Sequence, residues 1–427
     1  MMAMNDTPDA PSASTLGINP RLTRLVCSRT GREADSHGFQ RPPGLCDCCP
    51  SPGSPLLVSY DLSALRPVVD RLPPYGSARQ GLAAFEPLLP VVGLPAGYAD
   101  DVGHTPTAHH PALSQAHGVE VLLKWEGANP SGSFKDRGLA VAVALGHTAG
   151  AGRFCLPTQG NAGVAASLFC ARLGLPGCLV YMPDGHRDGI YHRQAAFFGA
   201  EVRFAGANIA TAGRRMREEL ALELAGGEVV DLSTFFEPGR LEGKKTMGLE
   251  IAHQLAHEGL PDVILYPTGG GTGLVGIWKA FGELAELGLL ETQRLPAMVA
   301  VQSANCAPVV EAFHQGLDHV EPVTSRGTVA DGLDVPAAIM GHGILGAVRA
   351  SDGTAVAVSE EEITAAFADC GRLGLPVGYE SAALVAALAG LRRSGWLAAG
   401  ARVLLLLTSS HLVALSQGPK QVPGTLP

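Results

Sequence analysis

NPSGSFKDRG occupies residues 129–138 and directly follows the apolar run VLLKWEG, residues 121–127. A lysine placed just after a strand and a turn lies at the carboxyl edge of a parallel sheet, which is where ligands bind in open α/β folds. In a partly dry pocket the amine of such a lysine, here Lys135, can lose its proton and attack an aldehyde. A surface lysine paired with Asp136 is the alternative that this segment leaves open.

Outward from this segment, short β-rich runs alternate with longer Ala- and Leu-rich stretches. The runs lie at residues 121–127, 153–158, 178–183, 201–206, 262–268, 298–303 and 401–408. Helical stretches between them include residues 162–172, 207–224 and 273–290. Continuous apolar runs separated by helices are typical of parallel strands that are covered on both faces. The predicted fold class is therefore α/β, with open parallel sheets.

A second motif, PTGGGTG at residues 267–273, joins one of these runs to a predicted helix. Consecutive glycines allow backbone N–H groups to converge on an anion, and the start of the helix adds partial positive charge. The motif lacks the Gly-Lys-Ser/Thr ending of a nucleotide-binding loop. A phosphate monoester is the expected occupant, and a tight strand-to-helix turn is the alternative.

A third motif, TQGNAG at residues 158–163, also lies between a strand and a helix. Small residues and a side-chain amide at the start of a helix can bind both a carboxylate and a ring hydroxyl. The motif is weak evidence by itself, because any such turn favours glycine and asparagine.

Along the chain the order is lysine segment, Gly-Asn loop and glycine-rich loop, and in that order the three motifs resemble those of the fold-type II pyridoxal-phosphate enzymes, most closely the threonine synthase family. Four further segments read like that family, namely residues 56–62, 242–252, 261–281 and 329–336. The resemblance spans about residues 22–412. It implies two open parallel-sheet domains with an irregular N-terminal arm.

The resemblance also assigns roles around pyridoxal 5′-phosphate. Lys135 would form the Schiff base and move the proton at Cα, Phe134 would pack beside the ring, and Asn161 would hydrogen-bond its 3′-oxygen. Thr408, with Ser409 as a near alternative, would place a hydroxyl against the pyridine nitrogen, which makes the ring a gentler electron sink than an aspartate would. The cofactor phosphate would lie against Gly269, Gly270, Gly271, Thr272 and Gly273.

Threonine synthase converts O-phosphohomoserine to threonine by eliminating the γ-phosphate and adding water at Cβ. The resemblance therefore implies a small phosphorylated amino acid as substrate, with Thr158 and Gln159 receiving its carboxylate. A second anion site is needed for the substrate phosphate. The candidate residues for it are Thr105, Ser131, Ser133, Arg240 and Lys244.

The chain departs from the family at places that could contact substrate. The usual Gly-Glu-Gly before Thr105 is here residues 101–104, and the usual Lys-Glu-Pro-Tyr-Arg run is Phe236 to Arg240. The alternative is a paralogue that carries out β- or γ-replacement on another phosphorylated or activated amino acid, as in cysteate synthase or specialised metabolism. An inactive cofactor-binding protein is disfavoured, because a retained Schiff-base lysine has little purpose without chemistry.

The expected division of the chain follows the family. It has a disordered leader at residues 1–20, an arm resembling a degenerate zinc ribbon at 21–60 and a tail at 418–427. The large cofactor domain is expected at 61–107, 129–160 and 245–417, and a small mobile domain at 108–128 and 161–244.

The arm contains three cysteines in zinc-ribbon positions, Cys27, Cys46 and Cys49. Thr30 stands where the second thiol of the first knuckle should be, and Cys48 or His37 could supply a fourth ligand. Three ligands and a gap usually indicate a lost site, so a metal-free arm is expected. The remaining cysteines are scattered through apolar segments, which favours buried free thiols in a reducing compartment.

Composition limits the possible partners. The net charge is −9 with no basic block, which argues against nucleic acid. The first residues do not read as a signal peptide, and no apolar run is long enough to span a bilayer. The expectation is a cytoplasmic enzyme, without a membrane partner, that forms a homodimer as is common in this fold.

Overall fold

The computed structural model describes residues 16–34, 44–51, 53–69, 79–290 and 294–416. The predicted leader lies outside these ranges up to residue 15, and the predicted tail lies outside them entirely. The strands are β1 Gly17–Ile18, β2 Leu22–Cys27, β3 Leu56–Tyr60, β4 Val91–Val92, β5 Thr107–His109, β6 Glu120–Trp125, β7 Arg153–Pro157, β8 Leu179–Met182, β9 Glu201–Phe204, β10 Val229–Asp231, β11 Val263–Pro267, β12 Ala297–Ser303, β13 Thr354–Val358 and β14 Arg402–Leu407.

The helices alternate with these strands after residue 107. They are α1 Leu62–Val69, α2 Pro111–His117, α3 Lys135–Thr148, α4 Asn161–Arg172, α5 Ile190–Phe197, α6 Ile209–Glu219, α7 Ala221–Gly226, α8 Gly239–Gln254, α9 Thr272–Glu286, α10 Pro308–His314, α11 Gly341–Ala350, α12 Glu360–Arg372, α13 Tyr379–Arg393 and α14 His411–Ser416. The predicted helix at 207–224 is divided at Leu220 into α6 and α7.

The larger sheet has six strands in the order β13-β12-β11-β14-β6-β5. All neighbouring pairs are parallel except the edge pair of β5 and β6. Alternate residues of β14 face different cores: Val403 and Leu405 pack with α13, whereas Leu404 and Leu406 pack with α8 and α9. A strand covered on both faces must be apolar along its buried length, which is why β14 is continuously apolar from Val403 to Leu407.

The smaller sheet has four parallel strands in the order β10-β7-β8-β9. Together the two sheets confirm the predicted α/β class with two open parallel sheets. The N-terminal arm consists of the antiparallel hairpin of β2 and β3 and the short pair of β1 and β4. Within the described ranges, no helix is both long and apolar enough to cross a membrane.

The strand pairing corrects the predicted domain division at two places. Residues 108–128, predicted to lie in the small domain, contribute β6 to the large sheet, where it lies between β14 and the edge strand β5 and pairs with β14 from Glu120↔Arg402 to Trp125↔Leu407. Residues 153–157, predicted in the large domain, form β7 in the small sheet. An apolar run shows that a strand is buried but not which neighbour it pairs with, so the run alone could not assign these strands. The mobility of the small domain stays a prediction.

Candidate active site

The lysine segment is fastened to the carboxyl end of the central strand β14. The backbone N–H of Phe134 donates to the carbonyl of Thr408 at 3.0 Å, and Ser410 N–H donates to the carbonyl of Gly132 at 3.0 Å. The hydroxyl of Ser133 accepts the backbone N–H of Lys135 at 3.1 Å. These bonds fix the start of α3, so that Lys135 lies at the carboxyl edge of the large sheet, as predicted.

The Lys135 amine lies over the ring of Phe134, with Nζ 4.0 Å from the ring centroid. Burial lowers the pKa of Lys135 to about 7, and the positive charge of nearby Arg240 adds to the effect. The carboxylate of Glu380 acts in the opposite direction. The result is an amine that is substantially neutral near pH 7, which is the form that attacks an aldehyde.

A second buried amine approaches the same ring. Lys244 Nζ lies 4.4 Å from the Phe134 centroid and donates to the hydroxyl of Thr272 at 2.8 Å. Burial sets the pKa of Lys244 well below its ordinary value, and the nearby charge of Lys135 lowers it further. Because Thr272 is the first residue of α9, Lys244 connects the lysine segment to the glycine loop.

The glycine loop packs so tightly that side chains are excluded from it. A Cβ on Gly269 would lie 2.3 Å from the carbonyl oxygen of Gly332, and one on Gly273 would lie 2.0 Å from the hydroxyl of Tyr266. Gly271 has a φ of +74°, which favours glycine. A strand, a glycine loop and a helix N-terminus in this order fit the phosphate of pyridoxal 5′-phosphate.

Arg240, in the first turn of α8, is buried and incompletely paired. Its Nη1 group donates to the carbonyl of Leu232 at 2.6 Å, whereas Nε is buried without a hydrogen-bond partner among the described residues. Burial lowers the pKa of Arg240 despite the carboxylate of Glu237. Glu237 accepts the backbone N–H groups of Gly239 and Arg240 and so caps α8. An unpaired buried guanidinium N–H is a position for an anionic ligand.

The loop at residues 158–163 is shaped by its own side chains. The hydroxyl of Thr158 accepts the backbone N–H of Gly160 at 3.1 Å, and Asn161 begins α4. The Asn161 side chain hydrogen-bonds with the phenol of Tyr191, whose ring is near enough to Gly160 that a Cβ there would lie 3.6 Å from it. Gln159 is half-buried in the same loop.

Two predicted substrate residues already hydrogen-bond to other side chains of the protein. The Thr105 hydroxyl donates to Glu126 at 2.7 Å and accepts from Arg137 at 3.2 Å in a fully buried network, which corrects its predicted role to a structural one. The Ser131 hydroxyl donates to Asp136 at 2.5 Å. Asp136 lies only five residues from Ser131, whereas the partners of Thr105 come from distant segments and meet only on packing, so local spacing does not predict them.

Thr408 directly follows β14, at the position where a hydroxyl is expected to face the cofactor ring. It is buried, and its backbone N–H donates to the hydroxyl of Ser381 at 3.0 Å. Sequence reasoning missed three neighbours of the site, Tyr191, Glu380 and Ser381. The carboxylate of Glu380 accepts the N–H of Gly332 at 2.9 Å, so it holds the turn that packs on Gly269.

Comparison with known proteins gives consistent matches. The family model described as "Pyridoxal-phosphate dependent enzyme" matches residues 98–409. Threonine synthase of Methanosarcina acetivorans is 32% identical over 394 residues, which cover 92% of each chain. Threonine synthase of Methanocaldococcus jannaschii is 31% identical over 312 residues, covering 73% of this chain and 75% of the relative.

Among solved structures, maize serine racemase superposes with a TM-score of 0.59 at 19% identity, covering 72% of this chain and 88% of that chain. Threonine deaminase isoform 2 from Solanum lycopersicum gives a TM-score of 0.58 at 20% identity, covering 74% and 88%. At these identities the structures support the fold and not the substrate.

Proposed function

Because the chain belongs to the family of pyridoxal-phosphate-dependent enzymes, we propose that it is a lyase that removes phosphate from O-phosphohomoserine or a close analogue and adds water to form threonine or its analogue. The family confirms the predicted cofactor and enzyme class. The choice of substrate is inferred from the basic side chains near Lys135. A homodimer and a cytoplasmic location stay predictions.

One observation carries the proposal: the amines of Lys135 and Lys244 lie over the Phe134 ring, and the guanidinium of Arg240 is close enough to lower the pKa of both. Arg240 and Lys244 are buried, and no carboxylate forms a salt bridge with any of the three among the described residues. Burial disfavours the charged forms of these groups, so a ligand with more than one anionic group is the natural complement of their protonated forms. The cofactor phosphate and the substrate phosphate together supply such groups.

Lys244 and Arg240 would each bind one of these two phosphates. Lys244 bonds to Thr272 at the start of α9 and therefore lies on the side of the cofactor phosphate. The free Nε of Arg240 is assigned to the substrate phosphate. When bound, pyridoxal 5′-phosphate supplies an electron sink for the carbanion at the substrate Cα. Lys135, whose amine is substantially neutral near pH 7, would remove the Cα proton.

Arg240 would also assist departure of the γ-phosphate, because a fixed cation stabilises negative charge that grows on the leaving group. The Asn161 side chain, held by Tyr191, would fix the ring through its 3′-oxygen. Thr158 and Gln159 would receive the substrate carboxylate at the start of α4, where backbone N–H groups are available.

The replacement-type alternative is favoured by one observation. Phe236 stands where the family has a lysine, and its ring lies 4.4 Å from the guanidinium carbon of Arg217. An aromatic side chain there removes a charge-assisted contact worth roughly 1.5–3 kcal/mol. A substrate with a less charged activating group would be affected less by that loss.

Incubation of the holoenzyme with O-phosphohomoserine, with phosphate and threonine both measured, tests the proposal. We expect equimolar phosphate and threonine, and neither product above background from Lys135→Ala. Lack of phosphate release by a holoenzyme that carries cofactor would refute this substrate. Phosphate release without threonine would instead support a replacement reaction.

A further inference from the structure

Four cysteine side chains converge in the N-terminal arm, outside the lysine site. Cys27 ends β2, and Cys46, Cys48 and Cys49 precede β3. Their four sulfur atoms all lie within 4.8 Å of one another. Cys27 Sγ is 3.5 Å from Cys46 Sγ and 3.6 Å from Cys49 Sγ. We propose that these thiols bind one Zn²⁺ ion as a tetrathiolate structural site.

The sulfur spacing suits a shared metal ion better than a disulfide. Tetrahedral zinc with Zn–S bonds of about 2.3 Å places its sulfur ligands about 3.8 Å apart. A disulfide would need an S–S distance of about 2.05 Å, and all four cysteines are free. Without a metal, four thiols packed this closely would gain little stability from one another, because an S–H group is a weak hydrogen-bond donor.

The backbone around Cys46 is already shaped as a metal-binding turn. The N–H of Ser54 donates to Cys46 Sγ at 3.2 Å, and the N–H of Cys46 donates to the carbonyl of Ser54 at 2.9 Å. Gly53 closes the turn with a φ of +93°, and its N–H donates to the carbonyl of Pro50 at 2.8 Å. An N–H aimed at sulfur stabilises the thiolate, which is the form that ligates zinc.

Cys48 fills the gap that the sequence pattern leaves. Thr30 occupies the position of the missing thiol in the first knuckle, and its hydroxyl lies 3.4 Å from Cys48 Sγ. Cys48 therefore approaches the cluster from the second segment, opposite Thr30. The ligand set is one thiol from β2 and three from residues 46–49, which replaces the expectation of a metal-free arm. His37, the other candidate, lies outside the described residues.

A metal would stabilise an arm that has little structure of its own. A two-stranded hairpin is marginally stable in water, and small units usually need a metal or a disulfide. The hairpin also contacts the body of the protein, because the Tyr60 hydroxyl donates to Glu242 on α8 at 2.7 Å. Zinc is thus expected to act on stability and not on the chemistry at Lys135.

Metal analysis of the full-length holoenzyme tests this site. The protein is purified without a polyhistidine tag or chelator, and its zinc and iron are measured by mass spectrometry. We expect one zinc per chain. Cys48→Ser should weaken zinc binding by more than the roughly 10- to 100-fold cost of losing an outer-shell partner. Cys370→Ala, which removes a buried thiol on α12, should keep the full zinc content.

A rescue variant separates ligation from misfolding. Thr30→Cys combined with Cys48→Ser should restore zinc, because the Thr30 hydroxyl lies next to Cys48 Sγ, at 3.4 Å. Cobalt substitution should give absorption bands of tetrahedral thiolate in the red, where the cofactor does not absorb, in the wild type and the rescue variant but not in Cys48→Ser. Absence of zinc and of cobalt binding in the folded wild type, a disulfide among the four cysteines, stoichiometric iron instead of zinc, or full zinc in Cys48→Ser would each overturn the assignment.

Discussion

Lys135 and Lys244 share one aromatic ring: their amines lie 4.0 and 4.4 Å from the centroid of Phe134. Two ammonium groups so close together repel each other, and burial removes the water that would screen them. Burial is the larger cause of both lowered pKa values; the charge of Arg240 adds to it at Lys135, and the charges of Lys135 and Arg240 add to it at Lys244. The relationship links Lys135 to the glycine loop through Lys244 and Thr272.

Lys135 should titrate near neutral pH in the cofactor-free protein. With the pKa of Lys135 lowered to about 7, its neutral fraction and its reactivity should rise as the pH passes through about 7. The measurement is the rate of reductive methylation of Lys135, followed by peptide mass spectrometry. Arg240→Met removes a repelling charge and should move the midpoint to higher pH. A midpoint near that of an ordinary lysine in the wild type would contradict the burial argument.

Arg240 should discriminate between phosphorylated and unphosphorylated ligands. Loss of a charge-assisted contact worth roughly 1.5–3 kcal/mol should lower kcat/KM for O-phosphohomoserine by roughly 10- to 150-fold in Arg240→Met. Spectral titration of the holoenzyme with threonine, which carries no phosphate, should change little. Arg203→Met, which removes an arginine paired with Glu201, is the control and should leave both values unchanged. An equal loss for both ligands would indicate a structural defect.

Local patterns predicted the parts of the site that are built locally. Lys135 and the loops at 158–163 and 267–273 each follow a strand and begin a helix, and parallel strands bring such junctions to one sheet edge. Strand–turn–helix order is visible in the sequence, so these positions were predictable.

Positions that depend on packing between distant segments were not predictable. Tyr191 reaches Asn161 only because α5 packs beside α4, and Glu380 reaches Gly332 across 48 residues. The carboxylate partners of Thr105 come from other elements and are not visible in the local sequence, so Thr105 was predicted to contact substrate. Cys48 could be named only as one of two possible fourth zinc ligands, because its position departs from paired Cys-x-x-Cys spacing.

Gly269 should be intolerant of even one added methyl group. Its Cβ would lie 2.3 Å from the backbone oxygen of Gly332, so the loop must move in Gly269→Ala. We expect the affinity for pyridoxal 5′-phosphate to fall by more than tenfold, a loss of over about 1.4 kcal/mol. Gly282→Ala is the matched control, because Gly282 lies exposed on α9 with open space around its Cβ position.

Gly282→Ala should retain cofactor affinity and stabilise the helix by up to about 1 kcal/mol. Fluorescence titration of the cofactor-free proteins measures affinity, and urea unfolding measures stability. Unchanged affinity in Gly269→Ala would mean that the turn at 331–333 can move away without disturbing the glycine loop.

Glu250 should contribute stability that disappears in acid. Burial alone would raise its pKa, but Arg137 and Lys124 outweigh burial and hold the pKa at about 2, below the ordinary 4.5. A carboxylate whose pKa is lowered by folding stabilises the folded state at pH values above the pKa that it has in the unfolded chain. This contribution is lost as the pH falls from about 4.5 through about 2. Glu250→Gln removes the carboxylate that pairs with the buried cations Lys124 and Arg137. This should lower the free energy of unfolding by about 3–5 kcal/mol near pH 7.

The difference in unfolding free energy between wild type and Glu250→Gln should therefore shrink steadily below about pH 4.5. Urea unfolding of the cofactor-free proteins at several pH values measures it. Glu218→Gln, at an exposed position on α6, is the control and should stay within about 0.5 kcal/mol of wild type throughout. A pH-independent difference would mean that the amide disturbs packing and that the charge of Glu250 contributes nothing, because only the loss of charge follows protonation.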